Sequence, residues 1–380
     1  GQHTLTWTTG HAVSMALGKT KVKISEIQTL GEIMSVAYNN LSLEYWDYLI
    51  GGSETETTLL RNRQSLDEIA FRPRVLNDVS LINSSSNFLG SKLSIPVVLA
   101  PIGSAEQLDP EGMLPAARAA AKFGISVFKS SVAKPDIEEV AEKSKAQLIF
   151  QLYVRGDQNW INEHVDRVEA AGYAGFCLTV DTSIYGRRER DKIKNFRPTA
   201  RSKVTGTNYQ SMLNWNTVKS LRSKTKLPLI IKGIATAEDA IIAVDHGIDI
   251  VYISNHGGRQ LDHGRGSIEV LPEIVGAIGN KAKIIVDGGF YRGTDVIKAI
   301  ALGADLVGLG RLYGFGLAAF GQAGVERVLE ILEEEIRSAM ALLGVTKLTD
   351  LSPNFVHPAK PVRDASLTSA FHLFNISEKQ

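Results

Sequence analysis

Between residues 95 and 345 the chain alternates short apolar runs with longer stretches whose apolar positions recur every three or four residues. The short runs are β-branched and bounded by glycine, as in Ile248-Asp-Ile-Val-Tyr-Ile253 between Gly247 and Gly257-Gly258. A run that is apolar on both faces reads as a strand buried in a parallel sheet. The longer stretches read as amphipathic helices. Strands are expected at Ile95–Gly103, Ser126–Ser130, Gln147–Val154, Gly175–Thr182, Leu227–Gly233, Ile248–Gly257, Lys283–Gly289 and Ala304–Arg311. Helices are expected after them at Glu111–Gly124, Pro135–Lys145, Gln158–Gly172, Asn216–Thr225, Ala237–Gly247, Ile268–Gly279, Thr294–Gly303 and Ala318–Gly344. Alternation of this kind implies an α/β protein with a parallel sheet, and eight units imply a closed (β/α)8 TIM barrel. A doubly wound open sheet is the alternative. No G-x-G-x-x-G follows the first strand, which disfavours a dinucleotide-binding version of it.

An N-terminal helical extension precedes the barrel. Ser25 can cap a first helix, with Ile27, Leu30, Ile33, Met34 and Ala37 on one face. Further helices are expected over Ser42–Ile50 and Glu54–Ile69. Residues 1–24 read as a mobile arm or a processing remnant, and 25–380 as one domain with the barrel proper at about 95–344. Ser183–Asn214 is charged and has no strong period. The proline-punctuated tail after Leu351 is expected to wrap the surface.

Composition narrows the function. The 380 residues carry a formal charge of +1 and are 44% hydrophobic. No basic stripe is available to neutralise phosphates, which argues against nucleic acid as a partner. No apolar run approaches the ~20 residues of a membrane helix, and Ala12–Leu17 is too short for a signal-peptide core. The lone Cys177 excludes an internal disulfide and suits a reducing, cytoplasmic setting as a packed thiol. No metal site is expected.

Chemistry in such barrels collects at the carboxyl ends of the strands. The first two expected strands end in Ala100-Pro101-Ile102-Gly103 and Lys129-Ser130-Ser131. The next two carry Gln151 with Tyr153, and Thr179 with Asp181. The last four end in Lys232-Gly233, in Ser254, His256 and Arg259, in Asp287-Gly288-Gly289, and in Gly308-Leu-Gly310-Arg311. The last two sit at the usual phosphate corner, where glycine N–H groups and Arg311 can meet an anion. Tight turns with a surface arginine are the bland alternative. Ser130, Gln151, Thr179 and Ser254 offer the donors and acceptors that a flat heteroaromatic ring needs. Lys232 lies in an apolar strand and needs a partner. A structural carboxylate or an anionic cofactor ring would serve. Asp181 beside His256 orients the ring and stabilises its imidazolium. Arg188 and Arg259 can share a carboxylate, with Tyr153 and Tyr48 as hydroxyl donors. Alone, Arg187-Arg188-Glu189-Arg190 also reads as a solvated charge run, and Tyr48 as a packing aromatic.

With these residues in hand, the chain resembles the FMN-dependent 2-hydroxy acid oxidase and dehydrogenase family, which includes glycolate oxidase, lactate oxidase and mandelate dehydrogenase. The similarity runs from about residue 25 to 350 and is most specific at Ser254-Asn-His-Gly-Gly-Arg-Gln-Leu-Asp262. Tyr48-Leu-Ile-Gly-Gly, Phe71-Arg-Pro-Arg-Val-Leu, Phe150-Gln-Leu-Tyr, Leu178-Thr-Val-Asp-Thr, Gly186-Arg-Arg-Glu and Asp287-Gly-Gly also match. The resemblance implies bound FMN, an (S)-2-hydroxy acid substrate, a 2-oxo acid product, oxygen or another molecule as electron acceptor, and a homotetramer. It implies His256 as base with Asp181 as partner, and Arg188 and Arg259 on the substrate carboxylate. Tyr48 and Tyr153 would hydrogen-bond the substrate, Tyr153 also lying by the flavin. Lys232 would stabilise the reduced ring. Pro101, Ile102, Gly103, Ser130, Gln151, Thr179 and Ser254 would hold isoalloxazine and ribityl. Asp287, Gly288, Gly289, Tyr291, Gly310 and Arg311 would hold ribityl and phosphate. The chain departs from the pattern at Tyr291-Arg292, where many members have two arginines, and at Gly103 and Val132, where glycolate oxidase-like members carry Ala and Trp. The latter changes imply a side chain larger than glycolate's, lactate- to mandelate-like. The stretch after the fourth strand lacks an apolar membrane-docking insert. An FMN-binding barrel with an isomerase or non-catalytic role is the alternative.

Overall fold

The computed structural model describes residues 22–202 and 206–374. Most of the expected arm at residues 1–24 lies outside them. Eight strands close into a parallel barrel. They are β1 (Val97–Leu99), β2 (Ser126–Ser130), β3 (Leu148–Leu152), β4 (Gly175–Thr179), β5 (Leu229–Ile234), β6 (Ile250–Ile253), β7 (Lys283–Val286) and β8 (Leu306–Leu309). Each pairs in parallel with the next, and β8 returns to β1. The closed barrel is thus as the alternation implied. Most strands are shorter than expected because the chain bends away at the rim while the residues are still apolar or alternating; β2 has its expected bounds, and β5 runs one residue past Gly233. Phe128 of β2 and Tyr252 of β6 meet edge to face with ring centres 5.5 Å apart. Both are fully buried, so the interior is packed rather than a pore. Cys177 is a buried free thiol on β4. Among the described residues no helix is long and apolar enough to cross a membrane.

The N-terminal extension is helical over Leu30–Asn40, Leu43–Ile50 and Thr57–Asp67. The expected cap at Ser25 is corrected: Ser25 lies in a 3-10 turn, and Thr29 caps the first helix. Thr29 has glutamate at the third following position. The Glu32 N–H donates to Thr29 Oγ1, while the Thr29 hydroxyl and the Gln28 N–H donate to the Glu32 carboxylate, which ties the first turn reciprocally to its cap. Ser42 caps the second helix through the Tyr45 N–H. The tail strand Val356–Pro358 pairs antiparallel with Ile69–Phe71, so the tail does lie along the surface.

The last helix also departs from expectation. It begins at Arg311, not Ala318, and is broken at Phe320-Gly321. The glycines of Leu312-Tyr-Gly-Phe-Gly read as loop. In the fold they permit close packing: a Cβ on Gly316 would lie 2.7 Å from the Gly324 carbonyl oxygen.

Helix Thr57–Asp67 ties the extension to the rim of the barrel. Arg63 forms a bidentate pair with Asp295, at 2.7 and 2.8 Å, and donates to the Gly289 carbonyl at 2.9 Å. Asp295 also accepts from the Tyr291 and Arg292 N–H groups, so one buried carboxylate fixes the loop after β7. We expect Arg63→Ala to cost about 3–5 kcal/mol, because Asp295 stays buried without its partner. A urea unfolding midpoint equal to wild type would contradict this.

Candidate active site

A cavity of about 740 Å3 opens at the carboxyl ends of the strands. It is lined from almost every strand end: Pro101, Ile102 and Gly103 after β1, Tyr153 after β3, Lys232 on β5, His256 and Arg259 after β6, Asp287 to Tyr291 after β7, and Gly310 with Arg311 after β8. Tyr48 reaches it from helix Leu43–Ile50, and Arg188 from the loop after β4. Ser130, Gln151, Thr179 and Ser254 do not line it. They are fully buried at the strand ends.

The turn after β6 organises the site, but not as a strand end. The expected strand to Gly257 stops at Ile253, and His256–Gly258 is a 3-10 turn. His256 has φ +60°, followed by +62° and +76° at Gly257 and Gly258. A histidine in that region is strained and needs support from its surroundings. Each neighbour supplies some. The Ser254 hydroxyl donates to Asp287 at 2.6 Å and accepts the His256 N–H at 3.0 Å. Asn255 exchanges amide hydrogen bonds with Asn62, at 2.7 and 2.9 Å. A Cβ on Gly258 would lie 2.4 Å from the Leu59 backbone nitrogen, so only glycine lets the turn meet the helix there. Gln260 bridges the loop after β4, donating to the Asp181 and Ile184 carbonyls and accepting the Gly186 N–H. Asp262 accepts the Thr55 and Thr58 N–H groups at 3.0 Å, fixing the start of helix Thr57–Asp67.

The result is an oriented imidazole. Its Nδ1 lies 2.9 Å from Asp181 Oδ1, and its Nε2 lies 3.2 Å from the Tyr153 hydroxyl. With the proton of the neutral ring on the Asp181 side, the Nε2 lone pair faces the cavity. Burial lowers the His256 pKa below its ordinary value; Asp181 pulls it up, and Lys232 and Arg188 push it down again. Burial opposes ionisation of Asp181, but His256 and Lys232 outweigh it and hold the carboxyl down. The resting pair is a neutral histidine beside a carboxylate. Burial, with Asp181 nearby, raises the Tyr153 hydroxyl well above its usual range, so it remains a donor.

Lys232 lies on β5 just before Gly233, where the register with β6 shifts. Gly233 has φ +117°, and a Cβ there would lie 2.8 Å from Asp181 Cβ. The bulge therefore brings Lys232 and Asp181 to one place. The Lys232 side chain is buried and forms no ion pair among the described residues; its ammonium lies 5.5 Å from the Tyr252 ring centre. Of the two partners open to it, a carboxylate is not at ion-pair distance among the described residues, although Asp181 is near enough to feel its charge.

The arginines are placed differently from a simple anion clamp. Arg259 donates to the Tyr48 and Gly51 carbonyls at 2.6 and 3.2 Å and lies over the Tyr48 ring. Burial, with Arg188 beside it, brings Arg259 down to about 10. Arg188 is buried and donates to the Arg259 carbonyl at 3.4 Å. The charge run is thus not uniformly solvated. Arg190 pairs with Glu56 and Asp47, Arg187 with Glu189, while Arg188 points inward. Among the described residues neither Arg188 nor Arg259 has a carboxylate partner. Asp191 lies close enough to feel both, but its Oδ2 is buried without a hydrogen bond. Arg311, expected at a phosphate, donates to the Leu49, Gly51 and Gly257 carbonyls at 2.9–3.0 Å. It clamps the end of helix Leu43–Ile50 to the turn after β6. Tyr48 donates to the Gly103 carbonyl at 3.3 Å.

Sequence reasoning missed Arg155 after β3 and, in the unperiodic loop after β4, Tyr185, Arg201 and Gln210, all of which line the cavity. Gln210 cross-links the rim, donating to the Thr179 carbonyl and accepting the Val154 N–H. Tyr185 is held against Arg188, and its hydroxyl is buried without a partner. Its place directly before Gly186-Arg-Arg was the available signal.

The floor fits a flavin. Gln151 donates to the Thr179 hydroxyl at 2.7 Å, leaving its carboxamide oxygen buried and unpartnered. That oxygen needs a donor and the Lys232 ammonium needs an anion. A ring that carries N–H groups and holds negative charge when reduced meets both needs. Such a floor beside an imidazole–carboxylate pair defines a flavin-dependent barrel oxidoreductase. The chain belongs to the FMN-dependent dehydrogenase family, whose model matches residues 37–358. L-lactate oxidase of Nostoc sp. is 39% identical over 88% of this chain and 99% of its own length. Glycolate oxidase 1 of Oryza sativa subsp. indica is 40% identical over 87% and 95%. A crystal structure of mandelate oxidase with (S)-2-phenylpropionate superposes with TM-score 0.82 at 36% identity, covering 89% of this chain and all of that one.

Proposed function

We propose that the protein oxidises an (S)-2-hydroxy acid to the 2-oxo acid with His256 as the base. The observation that carries this is the neutral, Asp181-oriented His256 facing a cavity with carboxylate-free arginines. Arg188 and Arg259 hold the substrate carboxylate, and Tyr48 and Tyr153 donate hydrogen bonds to the substrate. His256 Nε2 takes a substrate proton, and Asp181 stabilises the imidazolium. FMN, when bound, would supply the two-electron acceptor for the hydrogen equivalent that remains once His256 has taken the proton, with oxygen or another molecule as the final acceptor. Pro101, Ile102, Gly103 and Lys232, which line the cavity, would hold its ring, and Gln151, with Ser130, Thr179 and Ser254 buried around it, would offer its unpartnered oxygen to the ring's polar edge. Asp287, Gly288, Gly289, Tyr291, Gly310 and Arg311 form the ribityl and phosphate side. Exposed Val75, Leu76 and Leu81 offer apolar surface that a homotetramer would cover. The purified protein is expected to be yellow and to bleach anaerobically with (S)-lactate or (S)-mandelate. Peroxide under air then marks an oxidase. A protein that takes up no FMN would overturn the proposal.

The substrate side chain is larger than glycolate's. Gly103 and Val132 both line the cavity, and a Cβ on Gly103 would lie 2.8 Å from Val132 Cγ2. The two positions therefore bound one space. We expect Val132→Trp to move preference from mandelate towards glycolate by on the order of 10–200-fold in kcat/KM, the range for filling a pocket. An unchanged ratio would show that this space is not used by substrate.

A further inference from the structure

The outer wall of the cavity holds cations that the chemistry above does not use. The Arg188 and Arg201 guanidinium carbons each lie 4.2 Å from the centre of the Tyr185 ring. Both guanidinium groups therefore pack against this one ring. The cations are no further apart than twice that separation. Arg155 also lines the wall and spends one N–H on the Ala200 carbonyl at 2.7 Å. Among the described residues neither Arg155 nor Arg201 has a carboxylate partner; the charged groups that act on them are other arginines. The rest of the segment is different. Arg190 and Lys194 are neutralised by Glu56 and Asp47, and Arg187 by Glu189. Arg188 and Arg201 line the cavity without a carboxylate partner among the described residues, as does Arg155 from the loop after β3. Gathering like charges without a counter-ion is unfavourable, and an arriving anion relieves it.

We propose that Arg201 and Arg155, with the unpartnered Tyr185 hydroxyl, form a second anion site, and that the substrate is a 2-hydroxy acid with a second carboxylate at the end of its side chain. This rests on the 2-hydroxy acid oxidation proposed above. Arg188 would hold the first carboxylate and Arg201 the second, with the Tyr185 ring packed against both cations.

The test compares (S)-2-hydroxyglutarate with its uncharged analogue of equal length, (S)-2-hydroxypentanoate, on the FMN-loaded protein. The dicarboxylate is expected to have a kcat/KM higher by on the order of tenfold, carried in KM, as one charge-assisted contact allows. Added salt is expected to erode that advantage. The double variant Arg155→Gln/Arg201→Gln is expected to bring the ratio close to one. Tyr185→Phe, which keeps the ring, is expected to lower it partly. A wild-type ratio at or below one, with the flavin still bleached by (S)-lactate, overturns the second site and leaves the reaction standing. Failure of every 2-hydroxy acid to bleach the flavin overturns both.

Discussion

His256→Ala is expected to keep its FMN and to lose reduction by substrate by roughly 10²–10⁴-fold, the usual worth of a positioned base. Flavin retention follows from the geometry. The imidazole contacts Asp181 and the Tyr153 hydroxyl, whereas the turn around it is fixed through Ser254, Asn255 and Gln260. Alanine at φ +60° is no better suited than histidine, so local strain remains but the framework stays. The base also sets a pH dependence. Burial and Lys232 keep His256 neutral below its ordinary pKa of about 6.5 despite Asp181. The base is active when neutral, so kcat/KM holds as pH falls to that value and declines only below it. Absorbance of the bound flavin after anaerobic mixing reads the first effect, and the acid limb of kcat/KM reads the second. Wild-type-like bleaching in the variant would remove His256 from its role, and an acid limb above neutral pH would contradict its environment.

Lys232→Met is expected to separate stability from chemistry. The Lys232 ammonium is buried with no ion pair among the described residues. Removing a buried charge that forms no ion pair relieves its desolvation, while Asp181 loses one of the cations that support its ionised form, so the flavin-free protein is expected to stay close to wild type in stability. The flavin loses the cation that favours its reduced form. Its midpoint potential is expected to fall by on the order of 30 mV or more, about 1.4 kcal/mol for a two-electron couple, with slower reduction by substrate. Lys232 also depresses His256, so the acid limb is expected to move to higher pH in the variant. Thermal unfolding, potentiometry and a pH profile check the three parts. A large loss of stability in the flavin-free protein would show that Lys232 serves the fold instead.

The barrel was legible because buried strands and amphipathic helices write different periods into the chain. Strand ends were less so, since Thr179-Val-Asp181 and Ile253-Ser-Asn255 continue an alternating pattern after the backbone has left the sheet. The His256–Asp181 pair was legible from residue types at the ends of the fourth and sixth strands, on the same rim of the barrel. The commitments of Arg259 and Arg311 were not, because their acceptors are the backbone carbonyls of Tyr48, Leu49 and Gly51, which no side chain announces. The supports of the turn after β6 were hidden for another reason. Asn62 lies far away in sequence, and its pairing with Asn255 exists only after the extension docks.

The most direct test is a single anaerobic turnover of the FMN-loaded protein with an (S)-2-hydroxy acid, counting flavin bleached and 2-oxo acid formed together. The account predicts one 2-oxo acid per flavin reduced. Flavin that stays oxidised, or bleaching without 2-oxo acid, would contradict it.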